Sequence, residues 1–255
     1  MTVEPVRLRL NPVPASAMGT AAGILSTWMP AKHLRLGGGT ALAARWHHRS
    51  STDLDFCFTP GTGPSNSLFL KDSDDIRRDL HALARDGVIA MDSVVMVGTN
   101  HIQFMVGDVP VSFVGTEMFH GDPRDEVEYE TGVILGGTKD ILTKKMYNRL
   151  GVNHVATERD AYDFAVARTL APDDLFYAWS TLTDDMKRDT LAVYRDLAEG
   201  DSNARYQALV KPRFERIAGQ VWKQVLWMME SDLEYVPPLT QRDGGFGHRG
   251  GAHGH

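Results

Sequence analysis

Two aspartates, Asp53 and Asp55, stand two residues apart at the head of the apolar run Leu54-Asp55-Phe56-Cys57-Phe58, and a glycine turn, Gly37-Gly38-Gly39-Thr40, lies upstream of them. On a strand, side chains at i and i+2 project from the same face. The two carboxylates therefore point together, while Leu54 and Phe56 turn the other way into the sheet. Carboxylates held side by side repel, and without a cation between them one tends to take up a proton. Glycine lets a backbone come close to an anion, and the helical N–H groups after it favour phosphate. A carboxylate pair for divalent metal beside a phosphate-friendly turn is what handling a nucleoside triphosphate requires.

Further charged residues recur downstream. Lys145 and Arg149 are four apart on one helical face, with Lys144 about a third of a turn away. Asp160 and Asp163 are three apart on the next helix, among the apolar neighbours Tyr162, Phe164, Ala165 and Val166. Each group also has a plain reading. The aspartate pair fits a solvent-facing strand, and Gly38, Gly39 and Thr40 fit a strand-to-helix turn with Thr40 as its cap. Lys145 and Arg149 fit a solvated face, and Asp160 fits a salt bridge to Arg159 or Lys145. His48 fits a helix end, and Arg49 either touches phosphate or pairs with an aspartate. The chain has no zinc-ligand spacing and no Gly-x-Ser-x-Gly elbow, and Gly38–Thr40 lacks the Lys-Ser/Thr ending of a P-loop.

In these blocks the chain resembles the nucleotidyltransferase superfamily, and within it the AbiEii/AbiGii toxin family of abortive-infection and type IV toxin–antitoxin systems. The first block is Gly38, Gly39, Thr40, Ala41 and Leu42, then His48, Arg49, Ser51, Asp53, Leu54, Asp55 and Phe56. The second is Lys145 followed by Arg159-Asp160-Ala161-Tyr162-Asp163, in the family's order, so the resemblance spans roughly residues 35 to 170. It implies Mg²⁺ (or Mn²⁺) held by Asp53 and Asp55, and phosphates met by Gly38, Gly39 and Thr40. Arg49 and Asp163 join the substrate side. Lys145 is placed on the triphosphate, and Asp160 acts as general base or holds the lysine. The superfamily usually adds a third carboxylate on a following strand, where this chain has Ser112. Asp108 is near but falls in a turn. Such a site holds one divalent ion well and a second less tightly.

The elements that position these residues can be read from periodicity. Residues 1–15, with Pro5, Pro12 and Pro14, read as extended, and a helix follows from about Ala15 to Trp28. His33 to Leu36 is a strand into the glycine turn, and Thr52 to Phe58 is the second strand. Gly61–Pro64 is a loop. Ser73 caps a helix burying Ile76, Leu80 and Leu83, stopped by Gly87. Val94–Val97, His101–Val106 and Val109–Val114 form an antiparallel meander, with Ser112 facing the cleft by alternation. Another extended piece covers Glu126 to Leu135. After Gly136 the pattern is helical: Thr138–Leu150, Glu158–Leu170, Pro172–Leu182, Thr183–Glu199, and a last helix carrying Val210, Phe214, Ile217, Val221, Val225 and Met228. The fold class is α+β: a nucleotidyltransferase-like mixed sheet flanked by helices over residues 1–136, a helical module over 137–240, and a flexible Gly/His-rich tail over 241–255.

At 255 residues, 42% hydrophobic and 24% charged, the chain has an ordinary globular composition. A net charge of −6 argues against a surface coated with nucleic acid, without excluding a local basic groove. No apolar run approaches the ~20 residues of a membrane helix, and no secretion signal opens the chain. One cysteine, Cys57, forms no internal disulfide and reads as a buried hydrophobe, so a cytoplasmic location is expected. Three functions fit. The first is a toxin-type transferase moving NMP from an NTP to an acceptor, for which the resemblance implies a tRNA 3′ end and a cognate antitoxin partner. The second keeps the chemistry with a protein or small-molecule acceptor. The third, prompted by Ser112, is a catalytically weakened NTP- or partner-binding module.

Overall fold

The computed structural model describes residues 9–58, 73–97, 101–115, 127–128, 131–200 and 209–231. Seven strands form one mixed sheet in the order β3-β4-β5-β2-β1-β7-β6. They are β1 (Arg35–Leu36), β2 (Leu54–Phe58), β3 (Val94–Val97), β4 (His101–Val106), β5 (Val109–Gly115), β6 (Val127–Glu128) and β7 (Ile134–Leu135). The predicted meander β3-β4-β5 is antiparallel, and β5 then lies parallel to β2. Burial alternates along the central strands with period two: Leu54, Phe56 and Phe58 are buried, as are Val111 and Phe113, and Ile102 and Phe104. This apolar face carries Phe58 against Phe113, with ring centroids 4.8 Å apart, and Phe104 edge-on to Trp28 at 6.2 Å. The other face is left to Asp55, Cys57, Ser112, Gln103 and His101.

Helix α1 spans Pro12–Ser26, earlier than the expected start at Ala15. Prolines are tolerated in a first helical turn, where their missing N–H has no partner to lose, so Pro12 and Pro14 enter the helix instead of extending the segment before it. The expected strand at His33 is a 3₁₀ turn over Ala31–His33, with pairing only from Arg35. Helix α2 (Gly38–Trp46) has no side-chain cap; Thr40 does not cap it. Its hydroxyl lies 2.7 Å from the Asp53 carbonyl. Helix α3 (Ser73–Arg85) buries Ile76 and Leu80 as expected, while Leu83 is only half-buried against the core. The loop at 61–64 and the tail at 241–255 fall outside the described residues, as does the Ser73 side chain proposed as a cap.

The helical half follows the sequence pattern with two corrections. The expected helix 138–150 is α-helical only over Thr138–Lys144 (α4); Lys145–Val152 continues it as a π-helical segment. Helices α5 (Glu158–Leu170), α6 (Pro172–Ser180) and α7 (Asp184–Glu199) follow, Thr157 and Thr183 capping α5 and α7. The expected last helix is broken into α8 (Glu215–Ala218) and α9 (Val221–Glu230). Val210 lies before both, its carbonyl accepting the Ser50 N–H at 2.8 Å. One cluster of buried apolar residues runs from Leu10 through the sheet to Met229.

Candidate active site

The sheet's polar face and the α4–π helix enclose a cleft of about 370 Å³, lined among others by Gly37, Gly38, Asp55, Ser112, Lys144, Lys145 and Arg149. Strand register sets its floor. Asp55 pairs with Ser112 on β5, which pairs in turn with Gln103 on β4; Cys57, Val114 and His101 form the next row. Ser112 faces Asp55, as strand alternation requires, and its Oγ donates to Asp55 Oδ1 at 2.7 Å. Asp53 immediately precedes β2. Ser51 Oγ donates to Asp53 Oδ1 at 2.9 Å, Thr40 Oγ1 lies 3.0 Å from the same oxygen, and an Arg159 Nη stands 3.6 Å from Oδ2.

The glycine turn is fitted to these carboxylates. Gly38 has φ +60°, a region side chains rarely adopt, and a Cβ there would collide with Asp55 Oδ2. A Cβ at Gly39 would collide with the Arg49 guanidinium instead. The Gly37 N–H donates to the Asp55 carbonyl at 2.7 Å, so the turn and β2 are locked together. Burial, then the neighbouring charge of Asp53, push the Asp55 carboxyl above its ordinary value, the Ser112 hydrogen bond opposing them. This pair is therefore short of positive charge. It fits one Mg²⁺, an ion commonly bound by one or two carboxylates with water and substrate phosphates completing its shell. Among the described residues no group of three or more acidic, histidine or cysteine side chains could hold a metal.

Behind the cleft lies a buried ionic network. Asp163 accepts from Arg49 Nε at 2.7 Å and from an Arg49 Nη at 3.0 Å, and its Oδ1 is 2.7 Å from His48 Nε2. Lys145 is 3.2 Å from Asp163 and also pairs with Asp160, which accepts from Arg149 at 2.8 Å. Burial alone would raise both carboxyls. The cations outweigh it, Arg49 and Lys145 holding Asp163 well below its ordinary value and Lys145 and Arg149 holding Asp160 below. Burial lowers the His48 pKa against the pull of Asp163, which leaves the ring neutral and stacked on Tyr162 at 5.6 Å. The Tyr162 hydroxyl donates to the His48 carbonyl and accepts from the Phe214 N–H, each at 3.0 Å. His48 is thus a network member and not simply a helix-end residue.

The residues singled out by sequence divide accordingly. Gly38, Asp55 and Lys145 line the cleft; Asp53 and Thr40, bonded to each other, are not among the residues that line it. Arg49 and Asp163 sit in the network behind it and bond each other. Asp160 holds the lysine and Arg149, and a carboxyl kept so acidic is a poor general base. The sequence offered Arg159 only as a partner for Asp160, and the structure sets it 3.6 Å from Asp53; Gln103 and His101 were passed over, though period-two alternation extended across the β4–β5 hairpin would have placed them.

The part of the chain that carries the glycine-opened helix and the paired carboxylates is similar to a nucleotidyltransferase family. Residues 28–133 match the family model described as "Nucleotidyl transferase AbiEii toxin, Type IV TA system", a segment that holds the glycine turn, Asp53, Asp55 and Ser112. No curated protein matches the chain. Among solved structures, JHP933 from Helicobacter pylori is 13% identical at a TM-score of 0.48, covering 88% of this chain and 93% of its own. A second H. pylori structure is 14% identical at 0.47, covering 86% and 92%. ANT(2")-Ia, solved with adenylyl-2"-tobramycin, is 17% identical at 0.34, covering 73% and 98%.

Proposed function

We propose that the protein is a metal-dependent nucleotidyltransferase of AbiEii toxin type that transfers NMP from an NTP to the 3′ end of a tRNA. The observation that carries the reading is Gly38, held at positive φ against Asp55, so that the first turn of α2 and Asp55 share one cleft. Asp53 and Asp55 would hold Mg²⁺ or Mn²⁺, which supplies charge neutralisation for the triphosphate and the leaving pyrophosphate. The uncapped N–H groups that open α2 face the phosphates. An acceptor hydroxyl oxygen bonds to the α-phosphorus, the bond from that phosphorus to the bridging oxygen breaks, pyrophosphate leaves with the electron pair, and the hydroxyl proton goes to solvent.

The network fixes the opposite wall. Lys145 is held by Asp160 and Asp163, so its buried ammonium sets the position of the π-helical segment and of Arg149 at the cleft. The likeness to a type IV toxin family supports an antitoxin as partner and the cytoplasm as the site of action. Among the described residues no helix is long and apolar enough to cross a membrane.

A second reading has its own observation: Ser112 supplies a hydrogen bond to Asp55 where a third carboxylate would supply charge, which favours a slow or NTP-binding protein. Incubation with each α-phosphate-labelled NTP, Mg²⁺ or Mn²⁺, and separately with total RNA or protein tests the assignment. Label at a tRNA 3′ end is the expected result. Label in protein alone refutes the acceptor, and retention of NTP without transfer selects the second reading.

A further inference from the structure

The two adjacent lysines of the α4–π junction have opposite environments. Lys145 is 5% exposed and is bound by Asp160 and Asp163, both kept ionised. Lys144 is 16% exposed; its Nζ lies 2.6 Å from Asp140, one turn back, and 3.6 Å from Cys57 Sγ. Cys57 is two residues beyond Asp55 on β2 and on the same face of the sheet. Its sulfur also lies 3.9 Å from where a Cβ of Gly37 would stand. Across the floor at Cys57, then, the glycine turn faces Lys144. Two residues of strand, about 6.7 Å, separate this point from the carboxylate pair, a span that the phosphates of an NTP bridge.

We propose that Lys144, and not Lys145, is the lysine that contacts the triphosphate, with Asp140 as the residue that positions its ammonium until an anion arrives. The inference rests on the nucleotidyltransferase reading and deepens it. An ammonium has three donors; Asp140 takes one, and the thiol is a weak acceptor. A triphosphate carries several negative charges and outcompetes a single carboxylate for the rest. Lys145 has no such freedom, because leaving its place would take a cation from two buried carboxylates at once, a strongly destabilising change.

Calorimetric titration of the full chain with inorganic tripolyphosphate and with each NTP, in Mg²⁺, tests the assignment, with thermal unfolding run on every variant. Lys144→Ala and Lys144→Gln should weaken tripolyphosphate and NTP binding at least tenfold with the fold retained, and Lys144→Arg should stay within about threefold. Asp140→Asn, which releases the ammonium, should tighten binding, a result that a purely structural lysine would not give. Lys145→Ala should lower the unfolding midpoint, and the folded protein should lose less affinity than either Lys144 variant. Wild-type affinity in both Lys144 variants, or a larger loss in folded Lys145→Ala than in either of them, overturns the lysine assignment alone. A wild-type protein that binds neither tripolyphosphate nor any NTP overturns the parent reading along with it.

Discussion

Ser112 Oγ and Asp55 Oδ1 are 2.7 Å apart, close enough that the hydroxyl now steadies a carboxylate that burial and Asp53 destabilise. Ser112→Asp would set a third negative charge at that distance. The metal-free variant should unfold several degrees below wild type, because like charges this close cannot all ionise without a cation. Mn²⁺ should then raise its unfolding midpoint by more than it raises that of wild type. Equal Mn²⁺ shifts in the two proteins would show that position 112 is not beside the metal. These residues were legible because their signals are local: alternation along β2 and along β5 set Asp55 and Ser112 each opposite the apolar face of its own strand, and Gly38 is a glycine because the chain there must adopt positive φ beside Asp55. What Thr40 and Arg49 bond to was not legible. Their partners, Asp53 and Asp163, are 13 and 114 residues away, and sequence spacing carries no information about which of several anions a cation reaches.

At the scale of elements, α5 matters chiefly through Asp160 and Asp163. Asp163→Asn should destabilise the protein by about 3–5 kcal/mol near pH 7, since it leaves Arg49 and Lys145 buried with too little negative charge. The pH dependence has a definite sign. The Asp163 pKa is depressed in the folded chain, so its contribution is complete above the unfolded value of about 3.9 and is lost as pH falls through the folded one. His48, whose pKa is also lowered, is neutral when folded, so stability begins to fall once pH drops below about 6.5, where the unfolded chain takes up that proton. Urea unfolding at pH 7, 5 and 3.5 should show wild type weakening in both windows and its advantage over Asp163→Asn shrinking below pH 4. A difference constant across the three pH values would contradict the network as drawn. The helices themselves were readable from apolar spacing, but not the π-helical turn at Lys145–Val152 or the break at Gly219-Gln220. Apolar residues at three- and four-residue spacing are compatible with either, and tertiary contacts decide. Gly151 is one such contact: a Cβ there would come within 2.9 Å of Leu182.

Across the whole molecule, the sheet and the helices are joined by more than sequence. The Arg213 N–H donates to the His48 carbonyl at 2.7 Å, the Tyr162 hydroxyl bridges His48 and Phe214, and Arg45 donates to the Gly136 carbonyl at 2.9 Å. A fragment ending at residue 136 would keep the sheet but expose the buried side chains of His48 and Arg49 and lose every partner on α5. It should therefore fail to fold, giving a circular dichroism spectrum without a cooperative thermal transition, whereas the full chain melts in one. A folded, cooperative fragment would show instead that residues 1–136 are an independent unit. The α+β class and the order of the elements were available from period changes along the chain. The single apolar cluster was not, because the position Gly136, where the sequence pattern turns helical, is crossed by contacts among residues more than a hundred positions apart.

The central claim is that Asp53 and Asp55 hold the metal that serves nucleotidyl transfer. Its most direct measurement is pyrophosphate release and label transfer from α-phosphate-labelled NTPs in Mg²⁺ or Mn²⁺ with total RNA, comparing wild type with Asp55→Asn. That substitution removes a charge whose burial is costly, so the variant should unfold at or above the wild-type temperature while transfer falls at least about a hundredfold, the scale of a lost electrostatic contact in a transfer site. Transfer at the wild-type rate by a folded Asp55→Asn protein would contradict the account.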